Sequence, residues 1–159
     1  MKVFISHKRE DAAEAERVAR LLRVHDVETY LDILDPVVFN DGKSLTDHIK
    51  KSLNSCTDIL VVMSSATKYS QWVPFEIGMA AQVDLPTVTY LAERVQLPDY
   101  LTYWPCLREL ADIGKYVAVR RSTALEIQRH YQGRYAVATA EKKAHETRMF
   151  YQNLKNTLK

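Results

Sequence analysis

Glycine is scarce in this 159-residue chain, with four residues at positions 42, 78, 114 and 133. None of them completes a GxGxxG, GxxxxGK[ST] or GxSxG pattern, which excludes a Rossmann dinucleotide fingerprint, a P-loop and a nucleophile elbow. Cysteine is scarcer still: Cys56 and Cys106 stand far apart and form no CxxC pair. A disulfide scaffold and a cysteine-based zinc site are excluded with it. The five histidines, at 7, 25, 48, 130 and 145, show no HExxH spacing. Glu141 and His145 lie one turn apart on a charged helix face, where a pair is solvated rather than metal-bound. Neither sign of charge dominates: Lys+Arg is 22 and Asp+Glu is 20, a net charge of +2. That balance gives no electrostatic case for nucleic acid or an anionic membrane as partner. No apolar run approaches a membrane span, and Val3-Phe4-Ile5 is too short for a signal-peptide core. No repeat of 20–50 residues occurs. What remains is 47% hydrophobic and 26% charged, an ordinary globular composition. The length suits one buried core. The expectation is one domain over 1–159, cytoplasmic, with its thiols reduced.

Short apolar runs alternate with helix-period segments. Val3-Phe4-Ile5 reads as a strand. Ala15, Val18, Ala19 and Leu22 then share one helical face between Asp11 and Val24. Glu28 to Leu31 is a second strand, followed by a loop from Asp32 to Lys43 containing Asp35-Pro36 and Asp41-Gly42. Ser44-x-x-Asp47 reads as an N-cap opening a helix over Leu45–Leu53. Ile59 to Met63 is apolar at every position, as in a strand buried on both faces of a parallel sheet. A helix over about Val73–Gln82 tolerates Pro74 only in its first turn. Pro86–Leu91 is a fourth strand and Trp104–Leu107 a weaker fifth. Thr123-x-x-Glu126 predicts the start of a helix ending at Gly133. A final helix over 140–158 puts Ala140, Ala144, Thr147, Tyr151, Leu154 and Leu158 on one face, for docking or for self-association. This alternation implies α/β, a flavodoxin-like three-layer fold with a five-stranded parallel sheet of order 2-1-3-4-5 and an extra C-terminal helix.

In such a sheet, ligands bind beyond the carboxyl ends of the strands where the order reverses, between strands one and three. Two polar segments face each other there: Ser6-His7-Lys8-Arg9, and Ser64 to Trp72 leading into the helix of Glu76. Glu76 is the only charged residue from Tyr69 to Val83. Its neighbours Val73, Phe75, Ile77, Met79 and Ala80 are apolar on nearly every face, so its carboxylate should be buried and must find a partner or shift its pKa upward. One reading places it at the third helical position, satisfying unpaired backbone N–H groups. The other makes it a functional carboxylate in the cleft. Lys8 and Arg9 are either surface charge or a phosphate contact at the cleft mouth. Trp72, four residues before Glu76, is either a core aromatic or a cleft wall. A phospho-acceptor receiver would need acidic residues where Ser6-His7-Lys8 and Met63-Ser64-Ser65 stand, and is set aside.

Val3-Phe4-Ile5-Ser6-His7-Lys8-Arg9-Glu10-Asp11 resembles the first box of TIR (Toll/interleukin-1 receptor-like) domains. Tyr30-Leu31-Asp32 through Gly42-Lys43, then Leu45 to Ile49, is similar to the second strand, BB loop and following helix of that family. Ser70 to Gly78 resembles the Trp-x-x-x-Glu stretch of its enzymatically active members. The specific resemblance covers about 1–110, leaving 111–159 as a C-terminal helical part. It implies an NAD-cleaving enzyme with NAD+ as substrate and no further cofactor or metal. Glu76 would be catalytic. Ser6, His7, Lys8, Asp32, Lys43 and Trp72 would bind substrate. The BB loop, residues 32–43, would pack on a second copy to complete the site, and its tip, Pro36-Val37-Val38-Phe39, is unusually apolar. Stand-alone TIR proteins of the Thoeris antiphage system have this architecture and make ADP-ribose-type signals for a separate effector protein. Two alternatives stand beside this reading. One is a non-enzymatic TIR adaptor working by homotypic contacts. The other is a nucleoside deoxyribosyltransferase-like enzyme, which Glu76-Ile77-Gly78-Met79-Ala80 also resembles.

Overall fold

Five parallel strands in the order β2-β1-β3-β4-β5 form the centre of the molecule. The strands are β1 (Lys2–Ser6), β2 (Glu28–Leu31), β3 (Asp58–Met63), β4 (Thr87–Leu91) and β5 (Cys106–Leu107). The helices are α1 (Ala12–Val24), α2 (Gly42–Asn54), α3 (Trp72–Gln82), α4 (Asp112–His130) and α5 (Thr139–Thr157). The computed structural model describes residues 1–31, 41–132 and 139–159. Asp32, the apolar tip 36–39 and Gly133 therefore lie outside the described residues.

The sheet has a core on each face, and strand alternation assigns residues to them. Val3, Ile5, Leu60 and Val62 point to one side, where they meet Val18 and Leu22 of α1, Tyr116 and Val117 of α4, and Phe150 and Leu154 of α5. Phe4, Ile59, Val61 and Met63 point to the other, against Leu45, Ile49 and Leu53 of α2 and Val73, Ile77 and Ala80 of α3. Every residue of β3 is buried, as expected of the central strand of a parallel sheet. Each fully buried Leu, Ile or Phe side chain contributes about 1.5–3 kcal/mol relative to exposure. The order of the strands reverses at β1. The chain leaves β1 for β2 on one side and returns to β3 on the other, with Ser6 in register with Val61.

Several helix boundaries differ from those read in the sequence. α2 starts at Gly42, because Asp41 rather than Ser44 is its cap. Asp41 is extended (φ −158°) and its side chain accepts the Ser44 N–H at 2.8 Å and the Ser44 hydroxyl at 2.9 Å. That is an N-cap bond to the third helical position, so Ser44 donates where it was expected to cap. α4 starts at Asp112, eleven residues before Thr123 (123 − 112). Thr123 is buried mid-helix and accepts the Asn153 amide at 3.2 Å. β5 is shorter than expected, and the weak apolar pattern around Trp104 instead packs on the α2–α3 face. On α5, Ala140 is exposed, while Phe150, absent from the expected face, is fully buried. The Phe150 ring lies 5.9 Å from that of Tyr116, so α5 docks on the α4 side of the sheet. No helix of the described residues is long and apolar enough to cross a membrane.

Candidate functional site

Ser6 is the last residue of β1 and is fully buried. Its hydroxyl donates to Glu76 Oε2 of α3, seventy positions along the chain. Glu76 is 2% exposed. The two meet at the carboxyl end of β1, beside β3, where the strand order reverses. Glu76 does not serve the start of its own helix. α3 begins at Trp72, which puts Glu76 in the second turn, and the first turn carries no acidic residue. Ser70 takes one of the unpaired N–H groups instead, accepting from Val73 N at 3.3 Å, and Pro74 has no N–H to satisfy. The reading of Glu76 as a helix-start residue at the third position therefore fails on geometry.

The helix that carries Glu76 is apolar on most faces without being buried on all of them. Val73, Glu76, Ile77 and Ala80 face inward, while Phe75 is 40% exposed beside the outer surface of α2. Trp72 and Glu76 are separated by one turn and share a face. The Trp72 ring is half-buried, packs on the α2–α3 core and meets Phe75 edge to face at 5.9 Å.

His7 is buried, and its Nδ1 donates to the carbonyl of Ile5 at 3.1 Å. A carbonyl only accepts, so this contact requires a proton on Nδ1. The Lys8 ammonium pairs with Glu10 at 2.8 Å, both side chains being well exposed, so the pair adds little stability. The Lys8 amide donates to Thr67 Oγ1 at 3.0 Å. Ser6, His7 and Lys8 thus line one side of the reversal point, with Glu76 in contact across it. Lys43 stands in the first turn of α2, highly exposed, and its ion-pair partner among the described residues is Asp47 at 2.6 Å. The structure joins Ser6 to Glu76 and does not extend that contact to Lys43.

Three residues that hold this corner together were not singled out in the sequence. Asp11, Ser64 and Thr67 form a hydroxyl–carboxylate cluster between the loops after β1 and β3. The available signal was Ser64-x-x-Thr67 directly after a buried strand, a pattern in which a serine side chain bonds the backbone two and three residues on. Ser64 Oγ does this, accepting the N–H groups of Ala66 and Thr67 at 3.0 Å each.

The sequence model of the TIR domain family matches residues 3–128. The chain belongs to the TIR domain family. Its α5 lies beyond the matched residues. Among solved structures, the TIR domains of the activated Roq1 resistosome, which directly recognises the pathogen effector XopQ, match it. They are 14% identical, with 96% of this TIR chain and 82% of that chain covered, at a TM-score of 0.46. No curated protein matches the chain significantly.

Proposed function

We propose that this TIR chain cleaves NAD+ at the bond between nicotinamide and ribose. The observation that carries the reading is the buried Glu76 carboxylate, one oxygen of which is fixed by the Ser6 hydroxyl at the strand-order reversal. The chemistry fits one such carboxylate. Nicotinamide leaves with the electron pair of the broken C–N bond, which neutralises its ring cation, so no general acid is required. The ribose carbon it leaves is oxocarbenium-like, as in glycoside hydrolysis. A carboxylate held in place beside that carbon stabilises the developing positive charge with little reorganisation. Water then adds to the carbon and releases a proton to solvent, giving ADP-ribose. An internal nucleophile of the same molecule gives a cyclic ADP-ribose-type product.

In this reading Ser6, His7 and Lys8 contact the ribose and phosphates, and Trp72 walls the pocket. Asp32 and Lys43 bracket the BB loop, which packs on a second copy. The product would act as a signal on a separate effector protein in antiphage defence within the cytoplasm. Family membership favours the two TIR readings over the deoxyribosyltransferase one. The contact of Glu76 with Ser6 favours the enzyme over the adaptor, because homotypic docking needs no buried carboxylate at the reversal point.

The direct test is incubation of the purified chain with NAD+ and, separately, with a deoxynucleoside, followed by chromatography. The proposal expects nicotinamide and ADP-ribose or its cyclic isomer from the first and no free base from the second. Free base from the deoxynucleoside with intact NAD+ would overturn it.

A further inference from the structure

We propose that Asp11 is a positioning residue for the Glu76 site, a carboxylate clamp that fixes the loop after β1 against the loop after β3. The proposal rests on the reading of Glu76 given above and assigns the residue that sets its geometry.

Asp11 is half-buried and stands at the N-cap position of α1. An Asp at an N-cap ordinarily accepts a helix N–H. The Asp11 side chain makes no such bond. Its Oδ2 instead accepts two hydroxyls from more than fifty positions away: Ser64 Oγ at 2.5 Å and Thr67 Oγ1 at 2.5 Å. Both hydroxyls also hold backbone. Ser64 Oγ accepts the N–H groups of Ala66 and Thr67, and Thr67 Oγ1 accepts the N–H of Lys8 at 3.0 Å. The Lys8 carbonyl accepts in turn from the Asp11 N–H at 2.8 Å. One carboxylate oxygen therefore gathers two loops, and Lys8 is fixed at both its N–H and its C=O.

What those loops carry makes the clamp a matter for the site. The first follows Ser6 directly. The second runs through the turn Thr67–Tyr69 into α3 and ends at Glu76. The Ser6–Glu76 contact is made between these two segments. Ser64 and Thr67 are 5% and 1% exposed, so without Asp11 neither hydroxyl proton has solvent to turn to. Bonds from a hydroxyl to a carboxylate are roughly twice as strong as neutral ones. An Asn side chain at position 11 would still offer an acceptor of the same length, and Ala would offer none. A shift of about 1 Å at a site of this kind costs on the order of 10²-fold in rate.

The test compares Asp11→Ala, Asp11→Asn and Thr67→Val with wild type, each assayed well below its melting temperature and per mole of folded protein. Turnover of NAD+ should fall at least tenfold in Asp11→Ala. Asp11→Asn should restore part of that loss. Thr67→Val combined with Asp11→Ala should lose no more than the worse single variant, because both remove one device. A merely structural role lowers the melting temperature and leaves turnover per folded molecule unchanged; that result, or fully additive losses, would overturn the proposal. If Asp11→Ala does not fold, Asp11→Asn against Thr67→Val carries the comparison. Amide hydrogen exchange separates the clamp from the proposed reaction. Exchange at Lys8, Ala66 and Thr67 should accelerate in Asp11→Ala even in a protein that releases no nicotinamide. Unchanged exchange at all three would remove the clamp whatever the wild-type activity is.

Discussion

A lone charge in an apolar stretch is readable because burial forces the question of its partner, and Glu76 was found that way. A parallel sheet of order 2-1-3-4-5 brings the segments after β1 and β3 to one cleft, but that Ser6 itself is the partner of Glu76 is visible only in the structure. Asp11 illustrates what a sequence hides. It reads as one more acidic residue at a helix start, and only the fold brings it to Ser64 and Thr67. Asp112 is a second such carboxylate. Burial disfavours its charged form, but the Lys115 ammonium and the N–H groups of Arg108 and Glu109 outweigh that and hold its pKa below the usual value. A depressed pKa in the folded state stabilises above the unfolded value and loses that contribution as pH falls through the folded one. The margin in melting temperature of wild type over Asp112→Asn should thus be constant above about pH 5 and shrink steadily in more acid solution. A margin that grows towards low pH would contradict the assignment.

Among the elements, β3 and α1 were legible because one period governs each: uniform burial in the strand, a single apolar stripe on the helix. α4 and α5 were harder to read because polar bonds as well as apolar periodicity fix their places. Asp58, fully buried at the start of β3, pairs with Arg120 of α4 at 2.8 Å. Arg120 also reaches Glu146 of α5, and its guanidinium lies 5.6 Å above the Phe150 ring. The Tyr151 hydroxyl of α5 accepts from Thr87 N at 2.8 Å, at the first residue of β4. These bonds gather two helices at the amino-terminal ends of the strands, opposite Glu76. Arg120→Met would leave the Asp58 carboxylate buried without its cation. Loss of one partner from such a pair costs about 3–5 kcal/mol. Chemical denaturation should show a loss of that size for Arg120→Met and a partial recovery when Asp58→Asn is added. A loss below about 1 kcal/mol would mean that the network does not hold α4 and α5.

At the scale of the whole molecule, the two ends of the strands divide the work. The amino-terminal end is closed by the Asp58–Arg120–Glu146 network. The carboxyl end gathers Ser6, His7, Lys8 and Glu76 around the reversal point. In the reading proposed above, a second copy would complete the site through residues 32–43, whose sequence includes Val37-Val38-Phe39. An apolar run in an otherwise polar connection is the sequence mark of an association surface. Specific activity should therefore rise with protein concentration, and Phe39→Asp should depress it. A rate strictly proportional to enzyme concentration down to the lowest assayable level would contradict a shared site.

If the Glu76 charge drives bond cleavage, one variant isolates its part. Glu76→Gln keeps the shape and an oxygen able to accept from Ser6 while removing the charge. Nicotinamide release from NAD+ should be measured for wild type and Glu76→Gln side by side, with thermal melts of both. Loss of an electrostatic contact made to the transition state costs on the order of 10²-fold or more in turnover. A loss of that size is expected in a folded Glu76→Gln protein. A folded Glu76→Gln protein that releases nicotinamide at nearly the wild-type rate would contradict it.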